Sequence, residues 1–234
     1  MKVTLVSNMC TWTKELSTNY IINDDMLLDV PQGSFKTLYC DYDLKKIKYI
    51  LITHFHSDHF ADLHLVIEIL KNNDIKNVVI LAPKGCKERL YNIFKTFEVS
   101  YLINYVEENV TFLECENGKS YKIGDYKIKA YKMVHASLDA YGFIIEQNCV
   151  KVGFSGDSCM CNSLHKIIKH CGNIFIDSAS TSENLKHLSA GEVKALAEEY
   201  KDVNFYPVHL SYHSQKLANE LGLNKTHPKQ EFVF

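Results

Sequence analysis

The chain has 234 residues, 46% hydrophobic and 23% charged, which fits one globular domain with a sizeable core. A net charge of −2 carries no basic excess, so nothing in the totals argues for nucleic acid, although a net charge hides how the charges are distributed. No apolar run approaches the roughly 18 residues a bilayer span needs. The first ten residues lack a signal-peptide core, so a cytoplasmic protein without a membrane partner is expected. Eight cysteines are scattered with no Cys-x-x-Cys pair, as reduced and mostly buried thiols would be. The one tight pair, Cys159 and Cys161, reads as small apolar residues at a helix start.

In chain order, residues 2–6 read as a strand and 7–18 as a polar loop. Strands over 19–22 and 26–29 meet at Asn23-Asp24-Asp25, a good turn. Residues 34–40 suggest a short helix. A strand over 45–53, buried from 47 to 52, runs into a polar turn, and an apolar helix is expected over 60–70. Strand 77–82, turn 83–85 and helix 87–97 follow, with Leu90, Ile93, Phe94 and Phe97 on one helical face. This alternation predicts an α/β layered domain.

From 121 to 133, apolar residues alternate with lysines around Gly124-Asp125, giving two strands whose lysines read as a solvated sheet face. A hairpin joins 141–146 to 150–154. Helix 164–170 and strand 173–177 come next. Ser189-Ala190-Gly191-Glu192 is a capping box that opens a helix with Val193, Leu196, Ala197 and Tyr200 on one face. Residues 204–209 form the last clear strand. No boundary divides the chain, so residues 1–234 read as a single domain, each half running from strands into strand–helix units.

The polar turn is Thr53-His54-Phe55-His56-Ser57-Asp58-His59. Imidazole and carboxylate suit zinc and similar divalent metals. His54 and His56 alternate by two, so an extended backbone points both one way. Asp58 and His59 are adjacent and can point toward a second metal. Four metal-type donors in six residues rarely arise from turn chemistry. Three further donors recur just past apolar strands: His135, Asp157 and His209. Strand ends on one sheet edge are where α/β proteins assemble sites from distant segments.

Together, the His-x-His-x-Asp-His cluster at 54–59, His135, Ser155-Gly156-Asp157 and His209-Leu210-Ser211 resemble the metallo-β-lactamase superfamily, over almost the whole chain. Asn19 to Asp29 before Pro31-Gln32-Gly33, and His187-Leu188-Ser189-Ala190, resemble the branch that contains ribonuclease Z. The resemblance implies a four-layer αββα sandwich with the site at one sheet edge. It implies two divalent ions, zinc first, with manganese and iron also compatible with these donors. His54, His56 and His135 would hold one ion, Asp58, His59 and His209 the other, with Asp157 bridging. Asp58 would accept a proton from the attacking water, and His187 would stabilise the transition state or protonate the leaving group. Relatives are often dimers, which leaves a homodimer open.

Three departures bear on substrate. The glutamate that orients the catalytic histidine in ribonuclease Z relatives is missing from 176–180, where Asp177 stands one position earlier. The long tRNA-gripping arm is missing, since 21 residues separate His135 from Asp157. Ser7-Asn8-Met9 stands where that branch has a glycine-rich loop. A small-molecule substrate is therefore expected, a cyclic or diester phosphate. The alternatives are lactone or thioester hydrolysis at the same site, tRNA 3′ processing, and a non-hydrolytic metal-binding or redox protein.

Overall fold

A computed structural model describes all residues, 1–234. The first part comprises β1 (Lys2–Ser7), β2 (Asn19–Ile22), β3 (Met26–Leu28), α1 (Ser34–Asp41), β4 (Tyr49–Leu51), α2 (Ser57–Phe60), α3 (Leu63–Asn72), β5 (Val78–Ala82), α4 (Cys86–Thr96), α5 (Leu102–Asn109) and β6 (Val110–Glu114). The second comprises β7 (Ser120–Ile123), β8 (Tyr126–Met133), β9 (Ala140–Gln147), β10 (Val150–Phe154), α6 (Asn162–Ile168), β11 (Asn173–Asp177), α7 (Ala190–Glu199), β12 (Asn204–Val208), α8 (Tyr212–Glu220) and β13 (Gln230–Val233).

Two mixed sheets result, in the orders β13-β1-β2-β3-β4-β5-β6 and β12-β11-β10-β9-β8-β7. Each begins with antiparallel strands and ends with parallel ones. In the first, β1, β2 and β3 pair antiparallel and β3 to β6 parallel. In the second, β7 to β10 pair antiparallel and β10 to β12 parallel. Parallel neighbours need crossover connections, and the helices supply them.

Three apolar clusters separate four layers. One lies between the first sheet and α1, α3, α4 and α5, and includes Ile50, Ile80, Leu63, Val66, Leu90 and Phe94. One lies between the two sheets and includes Leu28, Leu51, Ile128, Phe143, Phe154 and Phe175. One lies between the second sheet and α6 and α7, and includes Ile144, Ile176, Leu164, Ile167 and Val193. Buried positions at Leu63, Val66, Ile67 and Leu70 follow the helical spacing that puts one stripe of α3 on the sheet. The fold is the αββα sandwich.

Several expectations need correction. The strand expected over 45–53 is limited to Tyr49–Leu51, because a 3-10 turn over Leu44–Lys46 consumes its start and the donor-rich loop its end. The helix over 60–70 is two helices broken at Ala61–Asp62. Asp58 and His59 sit on α2, not on a bare turn. Asp62 accepts from the Phe35 amide (2.9 Å), tying the break to α1. Phe97 does not share the buried face of Leu90 and Phe94; it caps α4 and is 57% exposed. Helices α5 and α8 and strands β6 and β13 had no clear periodic signal. Strand β13 pairs with β1 at the sheet edge and is half exposed, so its composition is mixed. No helix is long and apolar enough to cross a membrane. The cysteines are unpaired, with Cys10, Cys86, Cys115, Cys159 and Cys171 buried. Cys161 is the residue preceding α6.

Candidate metal centre

Six strand ends converge at one edge of the sandwich. Asp29 follows β3, His54 and His56 follow β4, and His135 follows β8. Asp157 follows β10, Asp177 ends β11, and His209 follows β12. Side chains that leave the sheet here would otherwise continue along their strands, and the backbone turns sharply to prevent it. Asp29 (φ +61°), Ala136 (φ +49°) and His209 (φ +56°) adopt the left-handed region without being glycine. Such strain persists where surrounding structure over-determines it, and it concentrates at functional sites. Gly156 (φ +57°) makes the turn before Asp157, and a Cβ there would come within 2.8 Å of the Tyr141 carbonyl. Glycine is therefore required for Asp157 to enter the site.

The imidazoles and carboxylates form two overlapping donor sets. His54, His56, His135 and Asp157 offer atoms mutually within 4.8 Å, and so do Asp58, His59 and His209. A third grouping joins Asp157, His187 and His209. Asp157 faces both sets: its Oδ2 is 3.8 Å from Nε2 of His54 and of His135, and 3.3 Å from His209 Nε2. Its Oδ1 is 3.4 Å from His59 Nε2. All of these donors are buried except His56, which is exposed at the cleft mouth, and His187, which is partly exposed.

A second layer sets the tautomers. Thr53 Oγ1 donates to Asp29 Oδ2 (2.8 Å), so it can only accept from His54 Nδ1 (3.1 Å). His59 Nδ1 donates to the same Asp29 oxygen (2.7 Å). His135 Nδ1 donates to the Lys186 carbonyl (2.7 Å). Each contact commits Nδ1 as N–H and leaves Nε2 with a lone pair aimed inward, the arrangement that ligating histidines use. His209 is held through its backbone amide, which donates to Thr18 Oγ1 (2.9 Å).

The residues fit a metal on this structure's own terms. Nε2 of His54 and Nε2 of His59 are buried among the other donors with no hydrogen-bond partner. Buried polar atoms are otherwise nearly always paired, because leaving one bare costs about 1–3 kcal/mol. The facing donors stand 3.3 to 3.9 Å apart, which is too long for good hydrogen bonds. It is near the roughly 3.4 Å separating two ligand atoms that each lie about 2.1 Å from a tetrahedral ion. His135 Nε2 also faces His56 Nδ1 at 3.4 Å, two nitrogens with room for a cation between.

The electrostatics agree. Burial holds the His54 pKa well below its ordinary value, keeping the neutral form a metal requires. Burial would raise the Asp157 pKa, but the imidazoles of His209, His59 and His54 outweigh it and hold the carboxyl ionised. For His59, burial works against a proton, yet Asp157 and Asp29 hold its pKa well above normal. A proton there and a divalent cation answer the same concentration of negative charge.

His187 lies beside this centre, about a quarter exposed. Its Nδ1 donates to Asp177 Oδ2 (2.9 Å) and stands 3.9 Å from Asp157 Oδ2. Burial lowers its pKa, but Asp177 more than compensates and pushes it up to about 9. Asp177 thus fixes the orientation of the His187 ring. It is clamped in turn, accepting from the Ser158 (3.0 Å) and Ala179 (3.0 Å) amides. A cleft of about 630 Å³ opens above, lined by Asp58, His135, Asp157, His187 and His209 among others.

All eight site residues expected from sequence are therefore drawn to one place. Asp29, Thr53 and the Lys186 carbonyl were not anticipated as partners. Asp29 had a signal, an aspartate closing an apolar strand before Pro31; a backbone carbonyl has none.

A family model described as a beta-lactamase superfamily domain matches residues 29–210. A ribonuclease Z of Saccharolobus islandicus is 27% identical over 197 residues, covering 68% of each chain. A ribonuclease Z of Staphylococcus saprophyticus is 28% identical over 144 residues, 57% of this chain, and the chain spans 45% of that protein's length. Among solved structures, the metallo-beta-lactamase fold protein YhfI of Bacillus subtilis has a TM-score of 0.78 at 15% identity, over 99% of this chain and 98% of that one. At that identity the likeness is one of fold.

Proposed function

The chain belongs to the beta-lactamase superfamily domain family, and on that premise we propose that this metal-dependent hydrolase cleaves a phosphodiester in a small molecule, a cyclic or diester phosphate. The observation that carries the reading is the pair of donor sets sharing Asp157, with buried imidazole nitrogens left unpartnered at the floor of an open cleft. The phosphodiester is favoured over a carbonyl substrate by relatives named ribonuclease Z.

In this reading His54, His56 and His135 would hold one divalent ion, Asp58, His59 and His209 would hold a second, and Asp157, which faces both sets, would contribute to either. The soft-to-borderline imidazole donors favour zinc. When bound, the ions supply Lewis-acid chemistry, acidifying water and neutralising charge on the attacked phosphoryl oxygens. Asp58, buried on α2 with an oxygen 3.8 Å from His209 Nε2, accepts the proton of the attacking water. His187 has Nδ1 committed to Asp177, so Nε2 is the nitrogen free for substrate. Held protonated near neutral pH, it donates to the departing oxygen. Asp177 acts as a positioning residue, fixing the ring and its charge.

Purified protein loaded with zinc or manganese should hydrolyse bis(p-nitrophenyl) phosphate, lose that activity to a chelator, and regain it on reloading. Fully loaded protein that ignores the diester but opens a lactone or thioester would replace the phosphodiester by a carbonyl substrate. A second reading, tRNA 3′ processing, is supported by the same relatives. Cleavage of a precursor tRNA, with binding that falls steeply as salt rises, would favour it.

A further inference from the structure

Trp12 is the chain's only tryptophan, and it is 89% exposed. It lines the same cleft as Asp58, Asp157 and His187. A large aromatic left in water forfeits the greatest burial gain any side chain offers, so its placement at the mouth of a catalytic cleft calls for a ligand. The loop that carries it is pinned on both sides. The Cys10 amide donates to the Leu210 carbonyl (2.9 Å), and Thr13 Oγ1 donates to the Cys10 carbonyl (2.9 Å). The Lys14 amide donates to Tyr212 Oη (2.9 Å), which itself donates to Glu15 Oε2 (2.7 Å). The indole is therefore presented from a fixed platform, which lowers the ordering cost of binding.

The cleft's other lining is polar. Ser180, Asn184 and Lys186 contribute to it. Asn184 Oδ1 accepts from the Lys186 and His187 amides (2.7 and 2.8 Å), and Asn184 Nδ2 donates to Ser180 Oγ (2.8 Å), so this wall is also braced. The cleft thus offers one flat apolar surface, hydroxyl and amide groups, the metal-type donors and a single exposed lysine. A nucleotide offers the matching parts: a base with a π-face, sugar hydroxyls and a phosphate. At about 630 Å³ the cleft is within the range of small-molecule sites.

We infer that Trp12 is a stacking platform for a nucleobase, so that the phosphodiester substrate is a nucleotide and not a simple sugar phosphate. The inference rests on the phosphodiester reading above. The base can belong to a free nucleotide or to the end of an RNA strand, and both stack alike, because every base has a π-face.

The test uses the metal-loaded full chain and adenosine 5′-monophosphate as probe, with Trp12 as the sole indole fluorophore. Saturable quenching by the nucleotide, and none by ribose 5-phosphate, is expected. Trp12→Ala should raise the calorimetric Kd for the nucleotide about tenfold, the usual scale of base–aromatic stacking, while Trp12→Phe keeps most of the affinity. The Kd for ribose 5-phosphate and the bound metal should not change. Equal nucleotide affinity in wild type and Trp12→Ala, or equal quenching by ribose 5-phosphate, would overturn the stacking role. So would a change in sedimentation on Trp12→Ala with nucleotide binding intact, which would make the ring a contact between copies. A ten-residue oligoribonucleotide that quenches more tightly than the mononucleotide, with a steep salt dependence, supports the platform and assigns the base to RNA. Salt-insensitive binding no tighter than the mononucleotide supports it and assigns a free nucleotide. Quenching that persists when no phosphodiester is hydrolysed would sink the phosphodiesterase and spare the platform; hydrolysis without quenching would do the reverse.

Discussion

On the floor of the cleft, His54, Asp58, His59, His135, Asp157 and His209 are buried; Thr53 and Asp29 brace His54 and His59, the Lys186 carbonyl holds His135, and Thr18 holds the His209 backbone. On its rim, Trp12, Asn184 and Lys186 are exposed and carried by loops. The floor is assembled from six strand ends on one edge of the sandwich; the rim comes chiefly from residues 10–12, 136–138 and 179–187. A buried, cross-braced floor tolerates little change without losing its metal or its protonation states. A loop-borne rim can vary without disturbing the fold. The two parts meet in one segment: the Lys186 carbonyl holds His135 and His187 faces the floor, so that stretch of the rim is tied to the chemistry while the loop bearing Trp12 is not.

Substitutions on the floor should break the chemistry outright. Asp58→Ala is expected to cut turnover of bis(p-nitrophenyl) phosphate by about a thousandfold, with the circular dichroism spectrum and melting temperature nearly unchanged. Near-normal turnover in a metal-replete variant would remove Asp58 from proton transfer. His187→Ala should lower kcat by about a hundredfold while metal content stays intact. Metal loss measured by elemental analysis would make His187 a ligand instead.

The second layer should give smaller effects. Asp29→Ala frees both His59 and, through Thr53, His54, and should weaken metal affinity by about 10- to 100-fold in competition with a chromogenic chelator. An unchanged affinity would mean that packing alone orients these rings. The smallest effect concerns pH. The folded pKa of His187 is raised from 6.5 to about 9 by Asp177. The pair therefore contributes its full stability below pH 6.5 and loses it as pH rises through about 9. In metal-free protein, the NMR titration of His187 should fall near 9 and move down toward 6.5 in Asp177→Asn. Melting temperatures of the two proteins should diverge at pH 6 and converge above about pH 9. A titration unmoved by the substitution would deny Asp177 its hold on the ring.

The legible parts of this molecule were those with short-range signals. His54, His56, Asp58 and His59 fall within six residues, so one look at the spacing suggests a metal. His135, Asp157 and His209 were legible because each follows an apolar strand, and strand ends gather at a sheet edge. Period-two alternation marked β7 and β8, and the capping box marked α7. What escaped depends on tertiary context. Strand β13 closes the first sheet by pairing with β1, more than 200 residues away in sequence, and helix α5 buries only Leu102, Tyr105 and Val106. The break between α2 and α3 follows from Asp62 bonding across to α1, which no periodicity reveals. The contact from Asp177 to His187 spans 10 residues and depends on the turn after β11, so alternation along the strand left it undecided.

Elemental analysis of the purified, zinc-loaded chain tests the account most directly, with the same measurement on His135→Ala and His209→Ala and with turnover assayed in parallel. Two divalent ions per wild-type chain are expected, one lost in each variant, with hydrolysis of bis(p-nitrophenyl) phosphate falling as the ions are lost. A wild-type chain that binds no metal after loading, or turnover that survives complete chelation, would contradict that expectation.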